Sequence, residues 1–468
     1  MERIFNARDV AIIGVSDRPG NLGRDILRNL MDWGYEGGVY GVNPKGGEAL
    51  GFPLYKSVSD LPKAVDLAVL IIPAPAVPGV AEECGRKGIT RLAIPAGGFE
   101  EFGEEGRRIR DELVSVASKY GIRFVGPNCF TVINAHTGLC LPFVPVSTDI
   151  PRGGVSIIAQ SGGVGLSFLT MLRDENAGFS KFVSMGNKTD LDEVDYLEYM
   201  GSDPQTEVIC MYLEDVGRGR ELLEKARAAN KPILAYKANV EPLTTQSARS
   251  HTAALANNDE VLDGAFRQAG IIRVRRLKQL AEYAKVFSLP PLSGNRVALV
   301  SPTGGMLVLS SDQCARRGFE FPPLSPPLVE DINDHLRAGV VNVSNPVDLG
   351  DVHDADSRVY IINRLLEQDY IDGVIAVFTA KLTSDGEVTT GGIYGTRKNI
   401  LPELGEVMRR RGKPLFLCLV SASEVLAAAR RGVDYPVFAD PEGTVDAAAM
   451  LRDYSMRTRG QKPCVEGR

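Results

Sequence analysis

The sequence lacks the patterns that mark membrane proteins and disulfide-rich secreted proteins. No apolar run approaches the roughly 20 residues that a membrane-spanning helix needs. The best candidate, residues 65–80, contains Asp66 and three prolines. The seven cysteines are scattered, and none forms a Cys-x-x-Cys pair. Reduced thiols in the cytosol are the simplest explanation, so we predict a cytoplasmic protein without a membrane segment.

Histidine is scarce, and positive charge is not in excess. The chain has four histidines among 468 residues and a net charge of −6. The acidic balance argues against a nucleic-acid-binding surface. His136, His335 and His353 have no partners at metal-ligand spacing, so we predict that they are surface or structural residues and that the chain holds no metal ion. Only His251 lies in a segment that suggests chemistry.

The sequence does contain a regular alternation of apolar strand-like runs and helix-like stretches, which starts at residue 10. Continuous apolar strands that alternate with helices indicate an α/β fold with a parallel, doubly wound sheet. A chain of this length suggests about three domains. Linkers rich in proline and glycine at 145–154 and 289–294 separate predicted domains at 1–145, 150–289 and 294–458.

The loop between the first strand and the first helix, residues 14–23, is typical of a phosphate-bearing ligand. Its glycines let backbone amides approach the ligand, while Ser16 and Arg18 offer a hydroxyl and a guanidinium for phosphate oxygens. After the second strand, Lys45 stands where an NAD site usually has Asp or Glu. NADP or coenzyme A therefore fits better than NAD. The alternative interpretation of Lys45 is a solvated turn lysine.

A second glycine-rich turn, at residues 161–163, suggests a phosphoryl-transfer site. Glu214 ends a later strand, and His251 lies at a strand-to-helix connection. Because the carboxyl ends of parallel strands share one edge of a sheet, these groups can face one crevice. We hypothesise that His251 carries a phosphoryl group while Glu214 accepts one ring N–H and frees the other nitrogen to attack. A capping or core histidine, an N-cap serine and a solvated carboxylate are the alternatives.

Three landmarks recur in the same order later in the chain and predict a duplicated α/β domain. Only the first copy is followed by a histidine, at His251, which places the predicted chemistry in the middle domain. The matched pairs are Ser161-Gly162-Gly163 with Thr303-Gly304-Gly305, Asn187-Lys188-Thr189-Asp190-Leu191 with Asn345-Pro346-Val347-Asp348-Leu349, and Lys231-Pro232-Ile233-Leu234 with Lys413-Pro414-Leu415-Phe416.

Over residues 5–455 the chain resembles a known family. It is similar to the α subunit of the ADP-forming acyl-CoA synthetases, also called NDP-forming acyl-CoA ligases, which are relatives of succinyl-CoA synthetase. The resemblance rests on motifs that occur in the family's order and spacing. They are the loop at 16–23, Asn43-Pro44-Lys45, Ile72-Pro73-Ala74-Pro75, Gly126-Pro127-Asn128-Cys129, Gln160-Ser161-Gly162-Gly163, Gly186-Asn187-Lys188, Tyr212-Leu213-Glu214 and Ser250-His251-Thr252.

The resemblance implies a Rossmann-like CoA-binding domain at 1–145 and two flavodoxin-like ligase domains with parallel sheets at 150–289 and 294–458. It implies that acyl-CoA and phosphate form an acyl phosphate, that His251 takes the phosphoryl group with Glu214 beside it, and that ADP receives it. It also implies binding roles for two sets of residues. The coenzyme A set is Gly14, Ser16, Arg18, Gly20, Lys45, Pro73, Pro95 and Ala96, and the phosphate set is Ser161, Gly162, Gly163, Asn128 and Cys129.

The family's nucleotide site implies a partner. Only 13 residues follow residue 455, too few for an ATP-grasp domain. We therefore expect a separate ATP-grasp β subunit that binds Mg-ADP or Mg-ATP, in an α2β2 assembly.

Two departures from the family pattern lie beside the histidine. Ala253 and Asn257 stand where the family usually has glycine, which bears on phosphoryl shuttling. A CoA-binding regulatory scaffold without ligase turnover is therefore the alternative function. An NADP-dependent oxidoreductase is a weaker one, because no hydride-transfer constellation is visible.

Overall fold

The computed structural model describes residues 1–241, 258–336, 343–350, 352, 354–390 and 398–459. The chain divides into two compact units. The first consists of Met1–Arg173 and Ala177–Leu280, and the second of Asp174–Asn176 and Ala281–Arg468. Among the helices that the structure describes, none combines the length and the apolar character that crossing a bilayer requires.

The first unit begins with a seven-stranded sheet in the order β3-β4-β2-β1-β5-β6-β7, in which only the β3–β4 pairing is antiparallel. The chain passes from β1 to β2 on one side and then crosses to β5 on the other, so the loops after β1 and β5 flank the switch point where ligands bind in such sheets. The strands are β1 (Asp9–Ile13), β2 (Gly38–Val42), β3 (Gly47–Ala49), β4 (Phe52–Tyr55), β5 (Leu67–Leu70), β6 (Arg91–Ala93) and β7 (Arg123–Val125), and the helices are α1 (Glu2–Phe5), α2 (Leu22–Asp32), α3 (Val77–Lys87) and α4 (Gly103–Tyr120).

Both faces of this sheet are buried, as the continuous apolar strands predict. In β1, Val10 and Ile12 join one core while Ala11 and Ile13 join another. The first of these cores continues to Ile158 of the second sheet, so the two sheets of this unit share apolar packing.

The second sheet of this unit has the order β14-β13-β12-β10-β11-β8-β9. Strands β10 to β14 are parallel, and β8 and β9 add an antiparallel edge from residues 132–140. The strands are β8 (Val132–Asn134), β9 (Leu139–Cys140), β10 (Arg152–Ala159), β11 (Phe179–Ser184), β12 (Val208–Leu213), β13 (Ile233–Lys237) and β14 (Ile272–Val274), and the helices are α5 (Gly162–Asp174), α6 (Glu193–Ser202), α7 (Gly219–Ala228) and α8 (Asp259–Ala269).

The second unit contains a third sheet in the order β16-β15-β17-β19-β20, with β18 paired antiparallel to the end of β17. Its parallel strands follow the order second, first, third, fourth and fifth along the chain, as β10 to β14 do, and this is the flavodoxin-like order. The elements are α9 (Lys278–Ala284), which carries the chain from one unit into the other, β15 (Val297–Ser301), α10 (Gly304–Arg316), α11 (Pro326–Asn333), β16 (Val347–Asp348), α12 (Ala355–Glu367), β17 (Gly373–Leu382), β18 (Val388–Thr390), α13 (Leu401–Arg411), β19 (Leu415–Val420), α14 (Ser423–Arg431), β20 (Val437–Phe438) and α15 (Pro441–Arg459).

The predicted fold class is therefore confirmed: the chain is α/β, with three largely parallel sheets. The equal strand order of the second and third sheets supports the predicted duplication. The boundaries of the three domains stay a prediction.

A buried ionic cluster lies in the second unit. The Glu175 carboxylate accepts from Lys285 at 2.5 Å and from Arg430 at 2.7 Å, and all three side chains are at most 10% exposed. Lys285 also donates to the Val437 carbonyl at 2.8 Å and lies 4.3 Å from the centre of the Phe438 ring. Burial lowers the pKa of Lys285 to about 8, although the Glu175 carboxylate acts in the opposite direction.

This lowered pKa predicts how stability depends on pH. Between pH 8 and the usual lysine value of about 10.4, the unfolded chain binds more protons at Lys285 than the folded chain does. The free energy of unfolding therefore increases as pH rises through this range. Between pH 7.5 and pH 9.5, we expect the free energy of unfolding of wild type to increase by about 2 kcal/mol more than that of Lys285→Met. Calorimetric unfolding at both pH values measures this difference. Lys381→Met, which removes an exposed lysine of β17, is the control, and an equal pH dependence in both variants would contradict the prediction.

Candidate active site

The loop after β1 is shaped by backbone and side-chain contacts that bring it against the loop after β5. Gly14 has φ +97°, and a Cβ there would lie 2.3 Å from the Ile71 carbonyl oxygen, so only glycine fits. The Asn21 side chain accepts from the backbone amides of Ser16 and Arg24, both at 3.0 Å, and donates to the Gly14 carbonyl at 3.2 Å. Asn21 therefore caps α2 and closes the loop at once.

Three of the predicted coenzyme A residues are exposed at this edge. Arg18 and Gly20 lie in the loop after β1, and Lys45 follows β2. The Asn43 side chain ties the two segments, because it donates to the Val15 carbonyl at 2.8 Å and accepts from the Lys45 amide at 2.9 Å. Within the described part of the chain, neither Arg18 nor Lys45 has a carboxylate partner, so both cations are available to an anionic ligand.

The other predicted coenzyme A residues follow the next two strands of the same sheet. Pro73 is exposed before a short turn after β5, whereas Pro95 is buried and Ala96 half-buried after β6. The Ala96 carbonyl accepts from the Asn128 amide at 2.9 Å. The predicted set thus lies along the carboxyl ends of neighbouring strands.

The loop after β7 meets the loop after β11. Asn128, with φ +59°, donates from its side chain to Asn187 at 3.3 Å, and the Asn187 amide donates to the Pro127 carbonyl at 2.9 Å. Gly186 has φ +60°, and a Cβ there would lie 2.2 Å from the Pro127 carbonyl oxygen. The first and second sheets are therefore joined through backbone contacts at this point.

Cys129 differs from its neighbour Asn128. Its thiol is buried and lies 3.5 Å from the Ile94 carbonyl oxygen. Burial raises the pKa of Cys129 to about 12, so the thiol stays protonated. At this turn, Asn128 and backbone amides are the groups that can meet a phosphate.

The predicted phosphate-binding turn connects β10 to α5. Gly163 is exposed, and a Cβ there would meet no atom within 4 Å, whereas a Cβ on Gly162 would lie 2.0 Å from the Phe130 ring. Gly165 donates to the Ser161 carbonyl at 3.0 Å and so closes the first turn of the helix. The amides at the start of α5 present the positive end of the helix dipole, which favours anions.

Glu214 follows β12, the strand next to β10 in the sheet, and is 8% exposed. Its Oε1 accepts from the Tyr212 hydroxyl at 3.4 Å, and its carbonyl accepts from Lys237 at 2.7 Å. The structure therefore brings Glu214 and the turn at Ser161 to the same end of two adjacent strands. His251 lies outside the described residues, as do Ala253 and Asn257, so the predicted contact between His251 and Glu214 stays a prediction.

Sequence reasoning missed a polar network beneath Glu214. Gln160 and Asp215 are hydrogen-bonded to each other at 2.8 Å. Asp215 also pairs with Lys188 at 2.6 Å, and Lys188 pairs with Glu193 at 3.0 Å. Burial acts to lower the pKa of Lys188, but the Glu193 and Asp215 carboxylates outweigh it and raise that pKa. Gln160 and Lys188 stood within recognised motifs, but nothing in their spacing showed that they share a network.

A second polar contact set joins the loop after β6 to the loop after β11. The Asn187 side chain donates to Glu101 at 2.7 Å and to Glu100 at 3.0 Å, and the Thr189 hydroxyl donates to Glu100 at 3.0 Å. No sequence signal marked Glu100 or Glu101, because the contact spans more than 80 residues.

The described histidines make local contacts. His136 lies 3.2 Å from the Gly153 carbonyl oxygen, and burial lowers its pKa. His335 lies 3.0 Å from the Ser357 hydroxyl and packs against the Tyr360 ring. His353 lies outside the described residues. In the part of the chain that is described, no group of three His, Cys, Asp or Glu side chains could hold a metal ion.

Comparison with protein families finds matches in the first two sheets. Residues 8–135 match the CoA binding domain, and residues 152–287 match the succinyl-CoA ligase like flavodoxin domain.

Two relatives illustrate how far the similarity extends. The α subunit of acetate–CoA ligase (ADP-forming) I from Pyrococcus furiosus is 34% identical over 97% of this chain and 98% of its own. Acetate–CoA ligase (ADP-forming) I from Archaeoglobus fulgidus is 35% identical over 97% of this chain but 64% of its own, so that relative is longer.

A solved structure is similar over the same length. Acetyl-coenzyme A synthetase 1 from Ca. Korarchaeum cryptofilum, in complex with phosphate and ADP, is 30% identical, with a TM-score of 0.87 over 98% of both chains. With near-complete coverage of the Pyrococcus furiosus subunit as well, the chain belongs to the family of the ADP-forming acyl-CoA synthetases and corresponds to their α subunit.

Proposed function

We propose that the protein is the α subunit of an ADP-forming acyl-CoA synthetase, which interconverts acyl-CoA, ADP and phosphate with a carboxylic acid, CoA and ATP. The proposal rests on one observation. The buried Glu214 carboxylate and the helix start at Ser161 follow the carboxyl ends of two adjacent parallel strands. Similarity to acetate–CoA ligases over the whole chain supports it. The relatives reported above are ligases, so neither the regulatory scaffold nor the nicotinamide enzyme gains support.

The first sheet would bind coenzyme A. The loop at 14–23 presents backbone amides at the start of α2, and Arg18 and Lys45 add exposed positive charge at the same edge. Phosphate oxygens of coenzyme A suit these donors. The match of residues 8–135 to the CoA binding domain supports this assignment.

The second sheet would carry the phosphoryl transfer. A phosphate oxygen attacks the thioester carbonyl, the C–S bond breaks, and the thiolate of CoA leaves as the acyl phosphate forms. A nitrogen of His251 then attacks phosphorus, and the carboxylate leaves. In this step Glu214 accepts the other ring N–H, and the amides of residues 161–163 stabilise the phosphoryl oxygens. The phosphohistidine finally passes its phosphoryl group to the terminal phosphate oxygen of ADP.

The last step requires a partner. The Pyrococcus furiosus relative is named an α subunit, and more than a third of the Archaeoglobus fulgidus relative lies outside its match to this chain, which covers 64% of that relative. We infer that an ATP-grasp β subunit with Mg-ADP or Mg-ATP completes the reaction in an α2β2 assembly in the cytoplasm.

Removal of one cation from the first sheet should weaken coenzyme A binding. A charged hydrogen bond contributes about 1.5–3 kcal/mol, so Lys45→Ala should raise the Kd for coenzyme A about 10-fold or more, and less at high salt. Titration calorimetry at two salt concentrations measures this effect. Arg28→Ala, which removes an exposed cation of α2, is the control, and an unchanged Kd for Lys45→Ala would remove Lys45 from the site.

The phosphoenzyme provides the direct test of the reaction. The full-length chain incubated with radiolabelled phosphate and acetyl-, isobutyryl- or aryl-CoA should become labelled, and the label should be acid-labile. His251→Asn should abolish the label, and Glu214→Gln should reduce it about 10-fold or more, because the ring loses its orienting carboxylate. Both variants should bind coenzyme A normally. His136→Asn is the matched control, and label that survives in His251→Asn would exclude this mechanism.

A further inference from the structure

Gln160 is the last residue before the predicted phosphate-binding turn, and its side chain reaches the neighbouring strand end. It is 2% exposed. Its Oε1 accepts from the backbone amides of Glu214 at 2.8 Å and Asp215 at 3.1 Å, and its Nε2 donates to the Asp215 carboxylate at 2.8 Å. One side chain therefore binds both peptide amides around Glu214.

The orientation of this amide follows from its partners. Backbone N–H groups can only donate, so the atom that faces them must be the oxygen, and the NH2 group must then face Asp215. A flipped amide would place donor against donor on one side and acceptor against acceptor on the other. Asp215 is itself held by Lys188 at 2.6 Å, whose second carboxylate partner is the buried Glu193.

The backbone of Glu214 is consequently fixed from both sides. Gln160 holds its amide and the amide that follows, and Lys237 holds its carbonyl at 2.7 Å. With these groups fixed, the direction in which the Cβ of Glu214 leaves the strand is fixed relative to the turn that begins at Ser161.

The duplicated domain shows that the fold does not need this arrangement. The matched landmarks align Gln160 with Pro302 and Lys188 with Pro346. Because Val155 pairs with Val208 and Val297 pairs with Gly373, the strand registers align Glu214 with Thr379 and Asp215 with Ala380. The third sheet forms with the same strand order although three of these positions are proline or alanine and the fourth has a threonine in place of the carboxylate.

We propose that Gln160 is a positioning residue, which sets the Glu214 carboxylate at the distance and angle from the Ser161 turn that phosphoryl transfer needs. Asp215, held by Lys188, orients the side-chain amide of Gln160. The inference rests on the proposed function, since it assigns Gln160 a role in that reaction. Gln160 does not touch the reacting atoms in this account. It acts through Glu214, and its loss should slow the chemical step rather than weaken substrate binding.

Gln160→Glu tests the inference because it keeps the shape of the side chain and the acceptor for both amides. Its second oxygen, however, meets the Asp215 carboxylate, and the two negative charges repel each other. We expect the rate of phosphoenzyme formation at saturating substrates to fall at least about 10-fold, with little change in the acyl-CoA concentration that gives half the rate. The assay uses whichever acyl-CoA gives a labelled phosphoenzyme with the wild-type chain.

A second substitution should restore the contact with donor and acceptor exchanged. In Gln160→Glu/Asp215→Asn, the new amide donates to the new carboxylate, so the double variant should label about as fast as Asp215→Asn alone. Gln268→Glu, which adds a charge at an exposed position of α8, should behave as wild type. The melting temperature of every variant is measured alongside.

The outcomes separate the inference from the proposed function. If no acyl-CoA labels His251 in wild type, the proposed function fails and the inference fails with it. If wild type is labelled and Gln160→Glu is labelled equally fast, the inference alone is wrong. It is also overturned if Gln160→Glu loses label together with melting temperature and the double variant recovers neither, because Gln160 would then be structural only.

Discussion

The candidate active site depends on the parallel pairing of β10 with β12. In this register Ala159 lies opposite Tyr212, so the turn that follows β10 and the carboxylate that follows β12 emerge at one edge of the sheet. A shift of one residue would move Glu214 to the other side of the pleat. Apolar packing on one face stabilises the pairing, since Ile158 and Met211 lie opposite each other and belong to the core that the first and second sheets share. Apolar packing thus sets the strand register, and the polar contacts of Gln160 and Lys237 then hold the backbone of Glu214.

The same core includes residues of both the first and the second sheet. Where the two sheets join, the Asn187 amide donates to the Pro127 carbonyl. Residue 186 must be glycine because the two backbone segments approach too closely for a Cβ. Glu100 and Glu101 then bind the Asn187 side chain from a third loop. Because these contacts lie within one compact unit, a thioester held by the first sheet and a phosphate held by the second would share a rigid frame.

Sequence patterns predicted what depends on local order. The alternation of apolar strands and helices predicted the parallel sheets, and the strand ends predicted where Ser161 and Glu214 would lie. The pattern did not reveal that residues 132–140 extend the second sheet, because that antiparallel edge depends on pairing with β11, some 50 residues further along the chain. Gln160 was visible only as part of a motif. Its partners lie 54 and 55 residues further along the chain, and only the strand register brings them together.

The comparison between the two flavodoxin-like sheets separates what the fold needs from what the chemistry needs. Both copies keep paired glycines at the helix start, at 162–163 and 304–305, although only Gly162 lacks room for a Cβ. The first copy has a charged network of Asp215, Lys188 and Glu193 that the matched positions of the second copy lack, and such a network costs desolvation energy that apolar residues would avoid. The third sheet achieves the same topology with proline, threonine and alanine at the matched positions. The shared topology therefore does not explain the network of the first copy, and we attribute that network to the orientation of Glu214.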